Sequence, residues 1–135
     1  MSMKNALERR LLETRAITDR VGARVGWSRR LDGLPAITMQ VVADPRPQHL
    51  KGFQRTRATQ VQLDVWAASE DQAEEIRELC IEHLTPAALI GSIKFQRAMI
   101  DNVRSGAEPE QSGQPQRSRG ELFRESIDFI FTHNA

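Results

Sequence analysis

The 135-residue chain is 39% hydrophobic, and its 19 lysine and arginine residues against 18 acidic residues give a formal net charge of +1. This balance is typical of an ordinary globular protein and argues against a dedicated nucleic-acid-binding protein, which is usually strongly basic somewhere. No window approaches the roughly 18 apolar residues of a membrane span, and the charged start "MSMKNALERRLLETR" lacks the apolar core of a signal peptide.

Two helical segments are predicted first. Residues 4–14 place Ala6, Leu7, Leu11 and Leu12 at helical spacing, and the other face carries Glu8, Arg9, Arg10 and Glu13. The short segment "AITDRVG" carries Ile17 and Val21 four residues apart. It stops at Gly22, a residue suited to the left-handed position that ends a helix.

The hydrophobic period then changes to two, which indicates strands. "ARVGWS" is a candidate short strand, and "AITMQVVAD" is a longer one that ends before Pro45 and Pro47. Residues 58–67 form the clearest strand, with Val61, Leu63 and Val65 on one face and Gln60, Gln62, Asp64 and Trp66 on the other.

A third helical segment follows this strand. Ser69 is placed to cap its start, with Gln72 three residues later as in a capping box. Its apolar stripe contains Ala73, Ile76, Leu79, Cys80 and Leu84, and Pro86 ends it.

The C-terminal part is predicted to form a long β-hairpin. "SIKFQRAMIDNVRS" is its first strand, with Phe95, Met99 and Val103 on one face. "GELFRESIDFIFTH" is its second, with Phe123, Ile127, Phe129 and Phe131 on one face. Between them, about residues 105–119, the chain has no aliphatic side chain larger than alanine, which predicts a flexible loop.

Together these elements predict one domain spanning residues 1–135. Its fold class is α+β: a mostly antiparallel sheet of about five strands, with two helices packed on one face. One face of each strand is apolar and the other carries charge or amide groups, as this arrangement requires.

The chemical candidates favour packing over catalysis. Asp64 with Glu70, Glu74 or Glu78 could hold a divalent metal, but Trp66 stands where a nuclease strand would carry lysine. Cys80 lies on an apolar stripe, whereas a reactive thiolate needs an electropositive, partly exposed setting. His49, His83 and His133 lack metal-ligand spacing. We therefore predict no catalytic residue, metal or cofactor. Trp66 is either an anchor for a partner or a wall of the core.

The segment "DPRPQHLKGFQRTR" carries four basic residues against one acid. It is either a solvated loop or a contact surface for a protein partner or for nucleic acid passing nearby. We assign to a possible subunit or neck interface this basic set together with the acidic face of the third helix: Arg46, Lys51, Phe53, Arg55, Arg57, Glu70, Glu74 and Glu78.

The order of the segments resembles the phage tail-completion, or tail-terminator, family of siphophage-like particles, which also occurs in prophages and gene transfer agents. The resemblance spans most of residues 4–84. It rests on the first helix, "AITDRVGARVGW", "LPAITMQVV" and "RATQVQLDVWAASEDQAEEIRELCIEHL". Within the last of these, "LDVWAASEDQAEEI" is similar to the family's strand ending in Asp-x-Trp-Ala before an amphipathic helix.

The resemblance implies a structural virion protein rather than an enzyme. Family members form a ring, commonly a hexamer, on the last ring of the tail tube. The ring ends tube polymerisation and joins the tail to the head. The implied partners are further copies of the chain, the major tail tube protein and a neck or head-closure protein.

DNA would pass through the ring without sequence-specific binding, and no membrane is involved. The implied location is the tail–neck junction of a particle made in the bacterial host cytoplasm. Two alternatives stay open from the sequence: a head-closure or neck adaptor of similar fold, and a metal-dependent enzyme acting on nucleic acid.

Overall fold

A computed structural model gives the fold and describes residues 1–46, 48–49, 52–53, 56–109 and 121–134. The described helices are α1 (Met3–Glu13), α2 (Arg15–Val21) and α3 (Glu70–Leu84). The described strands are β1 (Val25–Trp27), β2 (Ala36–Ala43), β3 (Gln48–His49), β4 (Gly52–Phe53), β5 (Thr56–Ala67), β6 (Ala88–Ile90), β7 (Ile93–Phe95), β8 (Met99–Pro109) and β9 (Glu121–Asn134).

The predicted α+β class is confirmed, but the sheet is larger than predicted. Seven strands form it in the order β1-β2-β5-β9-β7-β6, with β8 also paired to β9. The β1–β2 pair is parallel, whereas the other strand pairs between described residues are antiparallel. The described part also holds three helices instead of two, because "AITDRVG" forms a separate helix that ends at Gly22 with φ +59°.

The predicted first hairpin strand is the main correction, because the structure divides it into β7 and β8. The Gln96 amide donates to the Thr132 carbonyl, and the Ala98 amide donates to the Thr85 carbonyl after α3. These long-range hydrogen bonds interrupt the strand between Phe95 and Met99. Phe95 is therefore buried, whereas Met99 and Val103 are exposed.

The predicted C-terminal hairpin is present as the antiparallel β8–β9 pair. Residues 105–109, predicted to begin the loop, are the last part of β8. The rest of that loop, residues 110–119, lies outside the described residues.

The core lies between the helices and one face of the sheet. Val61, Leu63 and Val65 of β5 point into it as predicted, and α3 covers β5 and β9. Ser69 accepts a hydrogen bond from the Gln72 amide, which confirms it as the cap of α3. The largest fully buried side chains are Leu7, Leu11, Ile17, Ile37, Met39, Leu63, Ile76, Leu84, Phe95, Phe129, Phe131 and Ile127.

Two side chains of α1 depart from the predicted pattern. Leu12, assigned to the apolar face, is 41% exposed, whereas Arg10, assigned to the polar face, is buried. Arg10 is buried because its guanidinium binds backbone carbonyls beyond its own helix. No helix in the described part of the chain is long and apolar enough to cross a membrane.

Candidate functional site

The basic residues of the predicted interface meet an acid of their own chain. Arg46 and Arg57 both donate to Oδ2 of Asp44, with a distance of 3.1 Å from Arg46 Nη2. Burial works to raise the pKa of Asp44, but the hydrogen bonds and positive charges of the two arginines outweigh it and lower the pKa. Lys51 and Arg55 lie outside the described residues, and Phe53 is described only through its backbone in β4.

The acidic residues of the same interface lie on α3. Glu78 binds Arg77 of its own helix at 3.2 Å. Glu70 is exposed, Glu74 is half-buried, and neither has a charged or hydrogen-bonding partner among the described residues. Arg57 lies near the start of β5, whereas Glu70 follows its end. The structure therefore puts the basic and acidic groups at opposite ends of this strand within one copy, and their role in a subunit or neck interface stays a prediction.

A cavity of about 280 Å³ opens beside Arg46 and Arg57, which we call the basic end of the molecule. Its lining combines three basic side chains with one carboxylate and a buried histidine: Lys4, Arg46, Arg57, Asp44 and His133. The start of α1 also borders it, which adds the positive end of a helix dipole. This end of the molecule is thus suited to contact negatively charged groups.

His133 lines this cavity as a neutral imidazole. Its Nδ1 lies 2.7 Å from the Asn134 carbonyl oxygen, which can only accept, so Nδ1 carries the hydrogen. Nε2 then accepts from the Thr59 hydroxyl at 2.8 Å. Burial chiefly lowers the pKa of His133, assisted by the charge of Arg57, while the Asn134 carbonyl and Asp44 act in the opposite direction.

This histidine is expected to make the fold less stable in mild acid. Because its pKa is lower in the folded chain, the unfolded chain takes up a proton first as the pH falls below about 6.5, and protonation then favours unfolding. The stabilising contribution is present above that pH and is lost progressively below it. Urea unfolding of the wild type and of His133→Gln between pH 7.5 and 5.5 measures the difference, and parallel pH dependences would contradict this assignment.

The face of the sheet that turns away from the helices forms a second polar surface, which we call the open face. Trp66 lies half-buried on it and donates from Nε1 to the Thr38 hydroxyl at 2.9 Å. Two guanidinium groups lie close to its ring, with Arg30 Cζ at 5.7 Å and Arg124 Cζ at 5.5 Å from the ring centroid. Trp66 is therefore an aromatic group of the open face rather than part of the buried core cluster.

The acids of the open face are held by neighbouring donors. Asp64 accepts from Gln62 Nε2 at 3.1 Å and from the Ser126 hydroxyl at 2.5 Å. Asp128 pairs with Arg104. A groove of about 310 Å³ runs across this face and is lined by Val42, Gln60, Val61, Gln62, Asp101, Arg104, Asp128, Phe129 and Ile130. Such a surface supplies shape and polar contacts for binding.

Among the described residues, no group of His, Cys, Asp and Glu side chains could hold a metal ion. Cys80 is fully buried, and burial raises the pKa of its thiol to about 12, as expected of a core side chain. Sequence reasoning missed the guanidinium groups of Arg30 and Arg124 near Trp66. Arg124 meets Trp66 through the pairing of β5 with β9, and Arg30 reaches it from the segment between β1 and β2. It also missed the buried histidine, whose position in the alternation of β9 was the available signal.

Comparison with known proteins adds to this geometry. The family model described as "Tail completion protein gp17" matches residues 5–126. Among solved structures, a chain of the structure described as "Virion of native gene transfer agent (GTA) particle" has a similar fold, with a TM-score of 0.65 and 12% sequence identity. The alignment covers 98% of this chain and 93% of that chain. No curated protein matches the chain in sequence.

Proposed function

The chain belongs to the tail completion protein family, and from this premise we propose that it caps a phage-type tail tube as a ring of identical copies. The ring ends polymerisation of the tube and joins the tail to the neck or head. The observation that carries the proposal is the family match over residues 5–126. The protein is a structural component of the particle's tail, not an enzyme.

The two charged ends of the molecule support this role. The basic end has Arg57 near the start of β5, with Arg46 bound to the same aspartate, Asp44. The acidic end has Glu70 and Glu74 in the first part of α3, which follows the end of β5. A 12-residue strand separates them, a length of about 40 Å at 3.3 Å per residue. Contacts made at the two ends therefore join this protein to different partners, the tail tube protein at one end and the neck or head-closure protein at the other.

The remaining partners follow from the ring. Six copies would enclose a channel, and DNA passes through it without sequence-specific binding. Lys51, Phe53 and Arg55 belong to the same basic segment and complete its contact surface in this proposal. Exposed ion pairs contribute only about 0 to 1 kcal/mol each, so the charged ends select the partner and its register more than they drive assembly.

Deletion of the gene in the particle that encodes this chain tests the proposal. Electron microscopy should show tails of uncontrolled length that are not joined to heads, and expression of the wild-type chain should restore joined particles. Detached tails of normal length would instead support a head-closure or neck adaptor. Joined tails of normal length in the deletion strain would overturn the proposal.

The acidic end supplies a more specific prediction. The double variant Glu70→Lys, Glu74→Lys should reduce joined particles by about tenfold or more, because like charges placed at an interface cost several kcal/mol. The melting temperature of the isolated chain should fall only by a few degrees. Neither residue has a partner among the described residues, but a lysine at position 70 would oppose the helix dipole in the first turn of α3, at a cost of about 1 kcal/mol. Particle counts and thermal unfolding measure both effects.

Glu82→Lys is the matched control, since Glu82 lies on the same helix near its other end and its side chain is 71% exposed. This variant should join heads and tails normally. Equal losses in the double variant and in the control would mean that the overall charge matters and not the acidic end.

A further inference from the structure

Three strands of the sheet, β1, β6 and β8, pair on one side only among the described residues. Strands β8 and β1 form two of these edges, since β8 pairs only with β9 and β1 only with β2. Unpaired edges are sites where another chain can join a sheet, and proteins usually blunt or cover them.

The β8 edge carries exposed apolar side chains. Met99 is 68% exposed, Ile100 37% and Val103 40%, all within five residues of one strand. The main packing partner of β8 is β9, and α3 covers β5 and β9 instead. The strand register puts Ile100 and Val103 beside the buried Phe129 and Ile127 on the helix side of the sheet. It puts Met99 beside Ile130 on the open face. Both faces of this edge strand therefore carry exposed apolar side chains, which indicates an interaction surface.

The β8 and β1 edges are at the same level along the strand direction. One row of paired residues crosses it, from Trp27 through Met39, Leu63 and Ile127 to Val103. A contact that joins Val103 of one copy to the Trp27 region of the next therefore displaces the copies sideways with little movement along the strands. A head-to-tail contact produces a ring when its rotation closes and a helical filament when it does not, and closure requires a contact with little rise.

The charges of the two edges are complementary. Asp101 is exposed at the β-bulge of β8 and has no partner among the described residues. Beyond β1, Arg29 is also exposed and unpaired within the described part of the chain. Leu31 follows it, 45% exposed, with Cγ 3.8 Å from where a Cβ on Gly26 of β1 would lie. The β1 edge thus offers an arginine and a leucine to the aspartate and apolar side chains of the β8 edge.

We infer that, in the ring proposed above, the β8 edge of each copy docks against the β1 edge of the next copy. The occupant of the exposed β8 edge is a second copy of this chain, with Asp101 facing Arg29 and the exposed apolar side chains of β8 facing Leu31. Side chains make most of the contact, because β1 has only three residues and the bulge interrupts the outer edge of β8. The inference rests on the proposed ring and specifies which surfaces build it.

Cross-linking in assembled particles tests this arrangement. The chain carrying both Leu31→Cys and Val103→Cys is expressed in the deletion strain, and purified tails are treated with a short bis-maleimide. A ladder of cross-linked multimers is expected, since each copy contributes a different cysteine to each of its two neighbours. Cys80 does not interfere, because it is fully buried.

The matched control combines Leu31→Cys with Leu12→Cys, since Leu12 is 41% exposed but lies on α1 and not on a sheet edge. No ladder is expected from it or from either single variant. Dimers from Val103→Cys alone would overturn the inference, because they require the same edge on both copies. Monomers only, from joined tails that contain the doubly substituted chain, would overturn it while leaving the proposed function intact.

A charge exchange gives an independent readout that needs no cysteine. Asp101→Arg should lower the number of joined particles, and adding Arg29→Asp should restore it, while the melting temperature of each isolated variant stays close to that of the wild type. Absence of rescue, with both variants folded, would count against this edge pairing. Normal tails in the deletion strain would instead remove the proposed function itself.

Discussion

Replacing Arg77 with alanine is expected to destabilise the fold by about 3 to 5 kcal/mol, because it leaves the buried carboxylate of Glu125 without its counter-charge. Arg77 lies on α3 and binds Glu125 of β9, whose side chain is only 3% exposed. The pair connects the helix to the sheet beneath it. The free energy of unfolding in urea at pH 7 measures the loss.

Two further variants separate this pair from ordinary surface charges. Arg20→Ala breaks the ion pair with Glu75, whose side chains are 38% and 52% exposed, and should cost no more than about 1 kcal/mol. The combined change Arg77→Met, Glu125→Leu should recover most of the stability, because it removes both charges and keeps their volume. An Arg77→Ala variant as stable as Arg20→Ala would show that water satisfies Glu125.

Local patterns predicted the parts of the fold that depend on neighbouring residues. The alternation of Val61, Leu63 and Val65 identified β5, and Ser69 identified the start of α3. In both cases the pattern that identifies the element is contained in a few consecutive residues. The capping hydrogen bond from the Gln72 amide to Ser69 spans three residues, so the sequence contains all of its determinants.

Features set by distant contacts were not predictable in this way. The break between β7 and β8 depends on bonds from Gln96 to Thr132 and from Ala98 to Thr85. The parallel pairing of β1 with β2 likewise depends on the path of the chain between them. Since the apolar residues of β8 alternate weakly, periodicity could not indicate which of them the core would leave exposed.

The partners of charged residues were likewise not predictable from the sequence. Helical spacing assigns Arg10 to the polar face of α1, although the folded chain buries it beneath the end of α3. Arg57 belongs to a basic segment that suggested a free contact surface, yet Asp44 pairs with it. A sequence gives the charge of a side chain, but only the fold determines which opposite charge or carbonyl it meets.

Replacing Arg10 with alanine is expected to cost roughly 3 kcal/mol or more, since it combines lost charge-assisted hydrogen bonds with a cavity in the core. Nη2 of Arg10 donates to the carbonyl oxygens of His83 at 2.9 Å and Pro86 at 2.7 Å, at the end of α3. Its guanidinium also lies over the Phe95 ring, with Cζ 5.7 Å from the centroid. Burial lowers the pKa of Arg10, but arginine stays charged at neutral pH and suits the negative end of the helix dipole.

Two substitutions at the same position divide this effect into its parts. Arg10→Met keeps most of the volume but leaves the two carbonyls without their donor, which should cost about 1 to 3 kcal/mol. Arg10→Lys keeps the charge but replaces the planar guanidinium, whose Nη2 reaches both carbonyls, with an ammonium group of different shape and reach, so its stability should lie between those of Met and wild type. Hydrogen exchange should show the loss of protection concentrated around Thr85, whose amide bonds Ile81 and whose carbonyl accepts from Ala98. If Arg10→Met were as stable as the wild type, packing alone would account for this arginine, and the carbonyls of His83 and Pro86 would need no donor from α1.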